Sequence, residues 1–155
     1  MSSVSINQTV PSFTAQATSE HTVSLEELRG KNVVIYFYPK DSTPGCTTEG
    51  QNFRDSIDQF QDANTVIYGV SRDSLRAHEN FKTKQSFPFE LISDPEEELC
   101  KLFDVIKLKK NYGREYMGIE RSTFLIDSEG VLKQEWRGVK VKGHVDEVLT
   151  AAQAL

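Results

Sequence analysis

The feature that most constrains the fold is an unbroken run of β-branched and aromatic residues at positions 33–38, Val-Val-Ile-Tyr-Phe-Tyr, which ends at Pro39. A run without polar alternation is typical of a strand that is buried on both faces of a sheet. Such a strand needs a packed layer on each side. The run therefore predicts a central strand in an α/β fold.

Elsewhere the apolar residues recur with helical and extended periods in alternation. The periodicity predicts strands at 65–70, 89–92, 122–126 and 131–136, and helices at about 46–62, at 74–85, after Asp94-Pro95, and around Val145, Val148, Leu149 and Ala152. A small hairpin is expected between residues 13 and 25, and residues 104–119 are expected to be irregular. We therefore predict one domain over residues 1–155, with a mixed central sheet flanked by helices and an N-terminal hairpin extension.

The charge and the apolar runs exclude several kinds of partner. The 155-residue chain carries 18 basic and 23 acidic residues, a net charge of −5, which argues against a nucleic-acid partner. No apolar run approaches the roughly 20 residues that span a bilayer, and residues 1–10 lack the pattern of a secretory leader. Two cysteines cannot build a disulfide framework. We expect a cytoplasmic protein that has no membrane partner and keeps both cysteines as thiols.

Cys46 follows a turn that favours a reactive thiol. If Thr43 caps the helix and Pro44 occupies its first position, Cys46 is the third helical residue. The free amides and positive dipole end of a helix stabilise a thiolate at that point. The turn also lies at the carboxyl end of the central strand, where open α/β sheets place their sites. The flanking residues are polar or turn-forming and indicate no apolar pocket for an inert thiol: Pro44, Gly45, Thr47 and Thr48.

The residues around this turn resemble a known family. Pro39-Lys-Asp-Ser-Thr43-Pro-Gly-Cys46 matches the Pro-x3-Thr-x2-Cys signature of the peroxiredoxins. The continuation to Glu49 resembles the Q-type branch, also called bacterioferritin comigratory proteins, and the similarity extends to residues 120–127. The resemblance implies a thioredoxin-like fold and cysteine-based reduction of hydrogen peroxide and organic hydroperoxides as antioxidant defence. It implies no metal, flavin or haem cofactor, since sulfur carries the two electrons.

The resemblance also implies a role for each matching residue. Cys46 corresponds to the peroxidatic cysteine, which becomes a sulfenic acid, and Thr43 to the hydroxyl that contacts sulfur and peroxide. Arg121 corresponds to the active-site arginine, which would favour the thiolate and stabilise the departing oxygen. Pro39 would shield the pocket, and Glu49 would orient the arginine.

The chain departs from its relatives where the sulfenic acid is resolved. Many members of the branch carry a resolving cysteine five residues after the peroxidatic one, where this chain has Gln51, and residues 74–85 contain no cysteine either. We therefore expect single-cysteine turnover, with thioredoxin, glutaredoxin or glutathione as the reductant. The resemblance to the branch implies a monomer. The alternative is a disulfide between Cys46 and Cys100, although Cys100 sits beside an apolar stripe typical of a structural thiol.

Two other classes of protein remain open from the sequence alone. A cysteine hydrolase would pair Cys46 with a remote base such as His78. A noncatalytic thioredoxin-like binding module would use the basic cluster Lys107, Lys109, Lys110 and Arg114, which is more simply a solvated run. The three histidines show no metal-ligand spacing beside a cysteine, so no zinc site is expected.

Overall fold

A computed structural model describes residues 4–155; the first three residues of the N-terminal segment lie outside the described part. The strands are β1 (Thr14–Gln16), β2 (Thr22–Ser24), β3 (Asn32–Phe37), β4 (Thr65–Ser71), β5 (Glu90–Ser93), β6 (Ile106–Asn111), β7 (Arg114–Ile119), β8 (Ser122–Ile126) and β9 (Leu132–Arg137). The helices are α1 (Pro44–Asp55), α2 (Ile57–Asp62), α3 (Leu75–Gln85), α4 (Glu98–Leu102) and α5 (His144–Gln153).

The main sheet has five strands in the order β5-β4-β3-β8-β9. Strand β3 is central and buried throughout, parallel to β4 and antiparallel to β8. Its alternate side chains enter two separate cores, with Ile35 and Phe37 on one face and Val34 and Tyr36 on the other. The prediction of a mixed central sheet flanked by helices is confirmed.

The two faces of the sheet are covered by different parts of the chain. Apolar residues of α1, α2, α3 and α5 form the core that contains Tyr36. The opposite core is covered by α4 and by the N-terminal segment, where β1 and β2 form the expected antiparallel hairpin. Within residues 4–155, no helix is long and apolar enough to cross a membrane.

The prediction that residues 104–119 are irregular is wrong. Strands β6 and β7 form an antiparallel hairpin of their own, with Ile106 opposite Ile119 and Asn111 opposite Arg114. Its two-residue turn has positive φ at Tyr112 (52°) and Gly113 (76°), as a type I′ turn requires. The hairpin ends one residue before Glu120 and so leads directly into the segment that carries Arg121.

Two helices differ in extent from the prediction. The helix predicted at 46–62 begins earlier, at Pro44, and is interrupted at Ser56, which separates α1 from α2. The helix predicted to open at Asp94-Pro95 begins at Glu98 instead. The Asp94 carboxylate still serves the helix start, because it accepts hydrogen bonds from the backbone N–H groups of residues 99 and 100.

Candidate active site

Helix α1 presents Cys46 as its third residue, as the sequence predicts. Pro44 occupies the first helical position and Thr43 is the N-cap residue. The Thr43 hydroxyl does not cap the helix, however; it donates to the carbonyl oxygen of Lys40 at 2.7 Å. Because no side chain of the described residues caps α1, its first-turn amides remain available to an anion at this end of the helix.

Arg121 lies between β7 and β8 and links the sulfur to a buried acid. Its Nη2 is 3.5 Å from Cys46 Sγ, and its Nη1 donates to Glu49 Oε1 at 2.6 Å. Gly45 makes room for this arrangement, since a Cβ there would lie 3.1 Å from Nη2. The geometry thus brings the guanidinium of Arg121 to the sulfur, 75 positions away in sequence, and to the carboxyl of Glu49, 72 positions away.

Burial changes the acid–base properties of this group. Glu49 is fully buried, and burial raises its pKa to about 7, while Arg121 acts in the opposite direction without cancelling the effect. Burial alone would lower the pKa of Arg121, yet Glu49 and Cys46 raise it above its usual value. Arg121 is therefore always a cation and has two acids competing for its charge.

Cys46 itself is 2% exposed and packs in an apolar cluster with Tyr36, Tyr38 and Phe53. The expectation that it lacks an apolar pocket is therefore wrong. The covering side chains come from β3, from Tyr38 directly after it and from a later turn of α1, so the polar residues that flank Cys46 in sequence do not describe its surroundings. A low-dielectric environment strengthens the attraction between a thiolate and Arg121.

The loop between β3 and α1 is anchored by Asp41, a residue that sequence reasoning missed. The buried Asp41 carboxylate accepts from the Tyr38 hydroxyl at 2.6 Å and lies 2.7 Å from His78 Nδ1. The other ring nitrogen of His78 is 2.9 Å from the carbonyl oxygen of Ile92. His78, the candidate base of a hydrolase, thus has one ring nitrogen engaged with the loop and the other with β5. The loop that it anchors includes the half-buried Pro39.

Asp41, His78 and Asp73 offer three ligand-type atoms within 4.8 Å of one another. Each acid is already engaged in hydrogen bonds of the loop, since Asp73 Oδ2 accepts from the Asp41 backbone N–H at 2.8 Å and from the Ser71 hydroxyl at 2.6 Å. We describe this group as a hydrogen-bonded cluster that holds the loop in position.

Cys100 lies on the opposite side of the sheet from Cys46. It is fully buried in the core that contains Ile35 and Phe37. Burial and the neighbouring Asp94 carboxylate raise the pKa of the Cys100 thiol well above its usual range. The structure therefore does not bring the two cysteines together, and a disulfide between them would require the sheet and helix α4 to rearrange.

The basic cluster lies on the hairpin of β6 and β7. Lys107 and Lys110 pair with Asp104 and Glu115. Lys109 is half-buried, and its pKa is lowered by burial and by the charge of Arg121. The cluster that a binding module would use for docking is thus partly neutralised, and one of its members lies near the Arg121 site.

The sequence is similar to known proteins over most of its length. Residues 6–135 match the AhpC/TSA family. The chain is 55% identical over 146 residues to a Bacillus subtilis protein named Peroxiredoxin Bcp, covering 94% of this chain and 93% of that one. The chain is a peroxiredoxin. A Xanthomonas campestris Peroxiredoxin Bcp is 58% identical over 125 residues, which are 81% of this chain and 78% of that protein.

Solved structures agree with this assignment. A structure of Xanthomonas campestris Peroxiredoxin Q has a TM-score of 0.88 and 51% identity, covering 92% of this peroxiredoxin and 90% of its own chain. Another from the same organism is described as a trapped intermediate and ligand complex bearing on alkyl peroxide reduction. A Xylella fastidiosa PrxQ variant has a TM-score of 0.92 and 42% identity, over 97% of this chain and 96% of that one.

These relatives confirm the resemblance to the Q-type branch and the thioredoxin-like fold. They also decide between the classes that the sequence left open, because the chain is a thiol-dependent peroxidase and therefore an enzyme. The roles of individual residues stay predictions, which the geometry above makes specific.

Proposed function

We propose that this peroxiredoxin reduces hydrogen peroxide and organic hydroperoxides at Cys46, and that an external thiol regenerates the enzyme. The observation that carries the proposal is the position of Arg121, whose guanidinium is 3.5 Å from the sulfur and fixed by Glu49 at 2.6 Å. The alkyl peroxide reduction named for the Xanthomonas relative supports the inclusion of organic hydroperoxides.

In the first step the Cys46 thiolate attacks one peroxide oxygen. An S–O bond forms as the O–O bond breaks, and the electron pair of the O–O bond passes to the departing oxygen. Arg121 contacts the sulfur and the first turn of α1 has no side-chain cap, so we propose that Arg121, these amides and the Thr43 hydroxyl stabilise that charge. The products are a Cys46 sulfenic acid and water or an alcohol, once the departing oxygen is protonated.

The second step returns the sulfenic acid to the thiol. An external thiolate attacks the Cys46 sulfur, an S–S bond forms as the S–O bond breaks, and the oxygen leaves as hydroxide, which takes up a proton from solvent to give water. A second thiol then reduces the mixed disulfide and releases the Cys46 thiolate. Gln51 cannot resolve the sulfenic acid, and its side chain instead donates to Gln85 Oε1 at 2.9 Å. Because Cys100 is buried on the other face of the sheet, single-cysteine turnover fits the geometry better than a disulfide.

We propose thioredoxin, glutaredoxin or glutathione as the external reductant, a cytoplasmic location and a monomeric enzyme. The location is supported by the two free thiols, which a reducing compartment maintains. These reductants are candidates of one chemical class, and turnover measured with each in separate assays ranks them. Size-exclusion chromatography with light scattering tests the monomer.

The mechanism is tested by mass spectrometry of the protein after one equivalent of peroxide. We expect one added oxygen, trapped by dimedone at Cys46, in both the wild type and Cys100→Ser. Steady-state turnover should survive Cys100→Ser and vanish in Cys46→Ser. A Cys46–Cys100 disulfide in the wild type, together with loss of turnover in Cys100→Ser, would support the two-cysteine alternative instead.

A further inference from the structure

Two buried acids share the charge of a single guanidinium at this site. Cys46 is 2% exposed and Glu49 is 0% exposed, and Arg121 contacts both. If both acids were ionised, the group would carry a net charge of −1 away from water. An uncompensated buried charge is expensive, so one proton is expected to remain within the group.

The geometry indicates which atom is free to hold that proton. Glu49 Oε1 accepts from Arg121, but Glu49 Oε2 has no hydrogen-bond partner among residues 4–155. An ionised carboxylate would leave negative charge on an oxygen without a donor, whereas a protonated acid places a neutral O–H there. Glu49 therefore has one oxygen that orients Arg121 and one that is suited to a proton.

The surroundings of Glu49 favour the same assignment. Tyr36, which faces it from β3, has a pKa raised well above its usual value by burial and by Glu49, so it remains neutral. Neither Lys109 on β6 nor His144 on α5 shifts the pKa of Glu49. Lys109 lies within reach of the charges of Arg121 and Cys46, which act on its pKa in opposite directions. Burial and Arg121 lower the pKa of His144 to about 4, which leaves it uncharged at neutral pH. Burial raises the pKa of Glu49 itself to about 7.

We propose that Glu49 keeps a proton while Cys46 is a thiolate and releases it when the sulfur becomes a neutral sulfenic acid. This deepens the proposed function and rests on it. In balanced form, Cys46–S⁻, R–OOH and Glu49–COOH give Cys46–SOH, R–OH and Glu49–COO⁻. Sulfur loses two electrons, the peroxide gains them, and the proton that Glu49 releases matches the one that the departing oxygen takes up.

Glu49 does not need to contact the peroxide to do this. It acts through Arg121, whose positive charge pairs with the Cys46 thiolate before the reaction and with the Glu49 carboxylate after it. Glu49 is therefore a positioning residue whose protonation is coupled to the charge of the sulfur. Loss of its proton before the reaction would make the two anions compete for Arg121 and would slow the attack.

The test is infrared difference spectroscopy of the reduced protein near pH 6.5, in a Cys100→Ser background so that Cys46 is the single thiol. We expect the carbonyl stretch of a buried protonated carboxylic acid in the reduced protein. It should disappear when Cys46 is made neutral by methyl methanethiosulfonate, and it should be absent from Glu49→Gln, whose amide keeps the shape and an acceptor for Arg121. The comparison of spectra before and after methyl methanethiosulfonate uses no variant at position 49, so it remains valid if Glu49→Gln fails to fold.

The pH dependence of the peroxide rate constant gives the second readout. For the wild type we expect the rate constant to fall as the pH rises through about 7, because Glu49 loses its proton there. Glu49→Gln should lack this step. A missing carbonyl band, or pH profiles of the same shape in both proteins, would overturn the inference, whereas the absence of any reaction between peroxide and Cys46 would overturn the proposed function itself.

Discussion

At the scale of single residues, Arg121 is the side chain whose replacement the account predicts to be most damaging to catalysis. Lysine offers one compact ammonium group, which cannot bond Glu49 and reach the Cys46 sulfur together as the planar guanidinium does. We expect Arg121→Lys to lower the rate constant for hydrogen peroxide by about 10²- to 10³-fold in stopped-flow assays. Arg114→Lys, on the exposed hairpin, is the matched control and should change little.

Thr43 supports a second prediction at this scale. Its hydroxyl is held by the Lys40 carbonyl oxygen, which fixes its orientation beside the helix start instead of using it as a cap. Thr43→Val removes the hydroxyl with little change of shape and should slow peroxide reduction by about 10²-fold, whereas Thr43→Ser should retain most of the rate. Equal rates for the valine and serine variants would remove Thr43 from the mechanism.

The residues of the site differ in how far the sequence could reveal them. Thr43 and Pro44 fix the start of α1 locally, so the position of Cys46 in the first turn follows from the sequence. The burial of Cys46 does not, because its apolar covering is assembled by the fold, from Tyr36 and Tyr38 before the turn and Phe53 later in α1. Arg121 could be associated with Cys46 only through the family motif, and Asp41 carried no signal that distinguished it from an exposed loop acid.

At the scale of elements, the packing of α1 against its neighbours depends on a glycine. A Cβ at Gly50 would lie 2.3 Å from Phe87 Cζ, and that ring is itself held by Phe81 and Phe89, each with its centroid 5.1 Å away. We expect Gly50→Ala to lower the free energy of unfolding by about 1–3 kcal/mol in urea titrations. Thr48→Ala on the exposed face of α1 should change it by less than about 0.5 kcal/mol.

The elements that the sequence predicted poorly are those whose pattern is not governed by a core. In the hairpin of β6 and β7, buried apolar residues do not alternate clearly with exposed polar ones. Leu108 and Met117 are exposed on one face, while Lys109 is half-buried on the other. A strand without a buried face lacks a clear period of two. Strand β3 is the opposite case, since burial on both faces makes its apolar run continuous.

At the scale of the whole molecule, the central sheet separates the Cys46 site on one face from the buried Cys100 thiol on the other. Helix α5 covers the face on which Cys46 lies. His144 at the start of α5 is 2.7 Å from the Thr123 hydroxyl of β8 and packs against Trp136 of β9. Its burial, together with the nearby Arg121, lowers its pKa from 6.5 to about 4. Protonation of His144 is therefore linked to the attachment of this helix to the sheet.

This linkage predicts a loss of stability in acid. Between pH 6.5 and 4 the unfolded chain binds a proton at His144 that the folded protein does not, so stability is present above this range and is lost as the pH falls through it. The effect of this group reaches about 3 kcal/mol at most. Urea unfolding followed by the fluorescence of Trp136 should show a flatter pH dependence in His144→Gln than in the wild type. Parallel pH profiles would contradict the assignment.

The central claim is that Cys46 is a buried thiolate, activated by Arg121 and the start of α1, that attacks peroxide. The most direct measurement is the stopped-flow rate constant of the Cys100→Ser protein with hydrogen peroxide at pH 7, beside free cysteine under the same conditions. The account predicts a rate constant at least about 10²-fold above that of free cysteine, as expected for a site with preorganised charge stabilisation. A rate constant equal to that of free cysteine would contradict it.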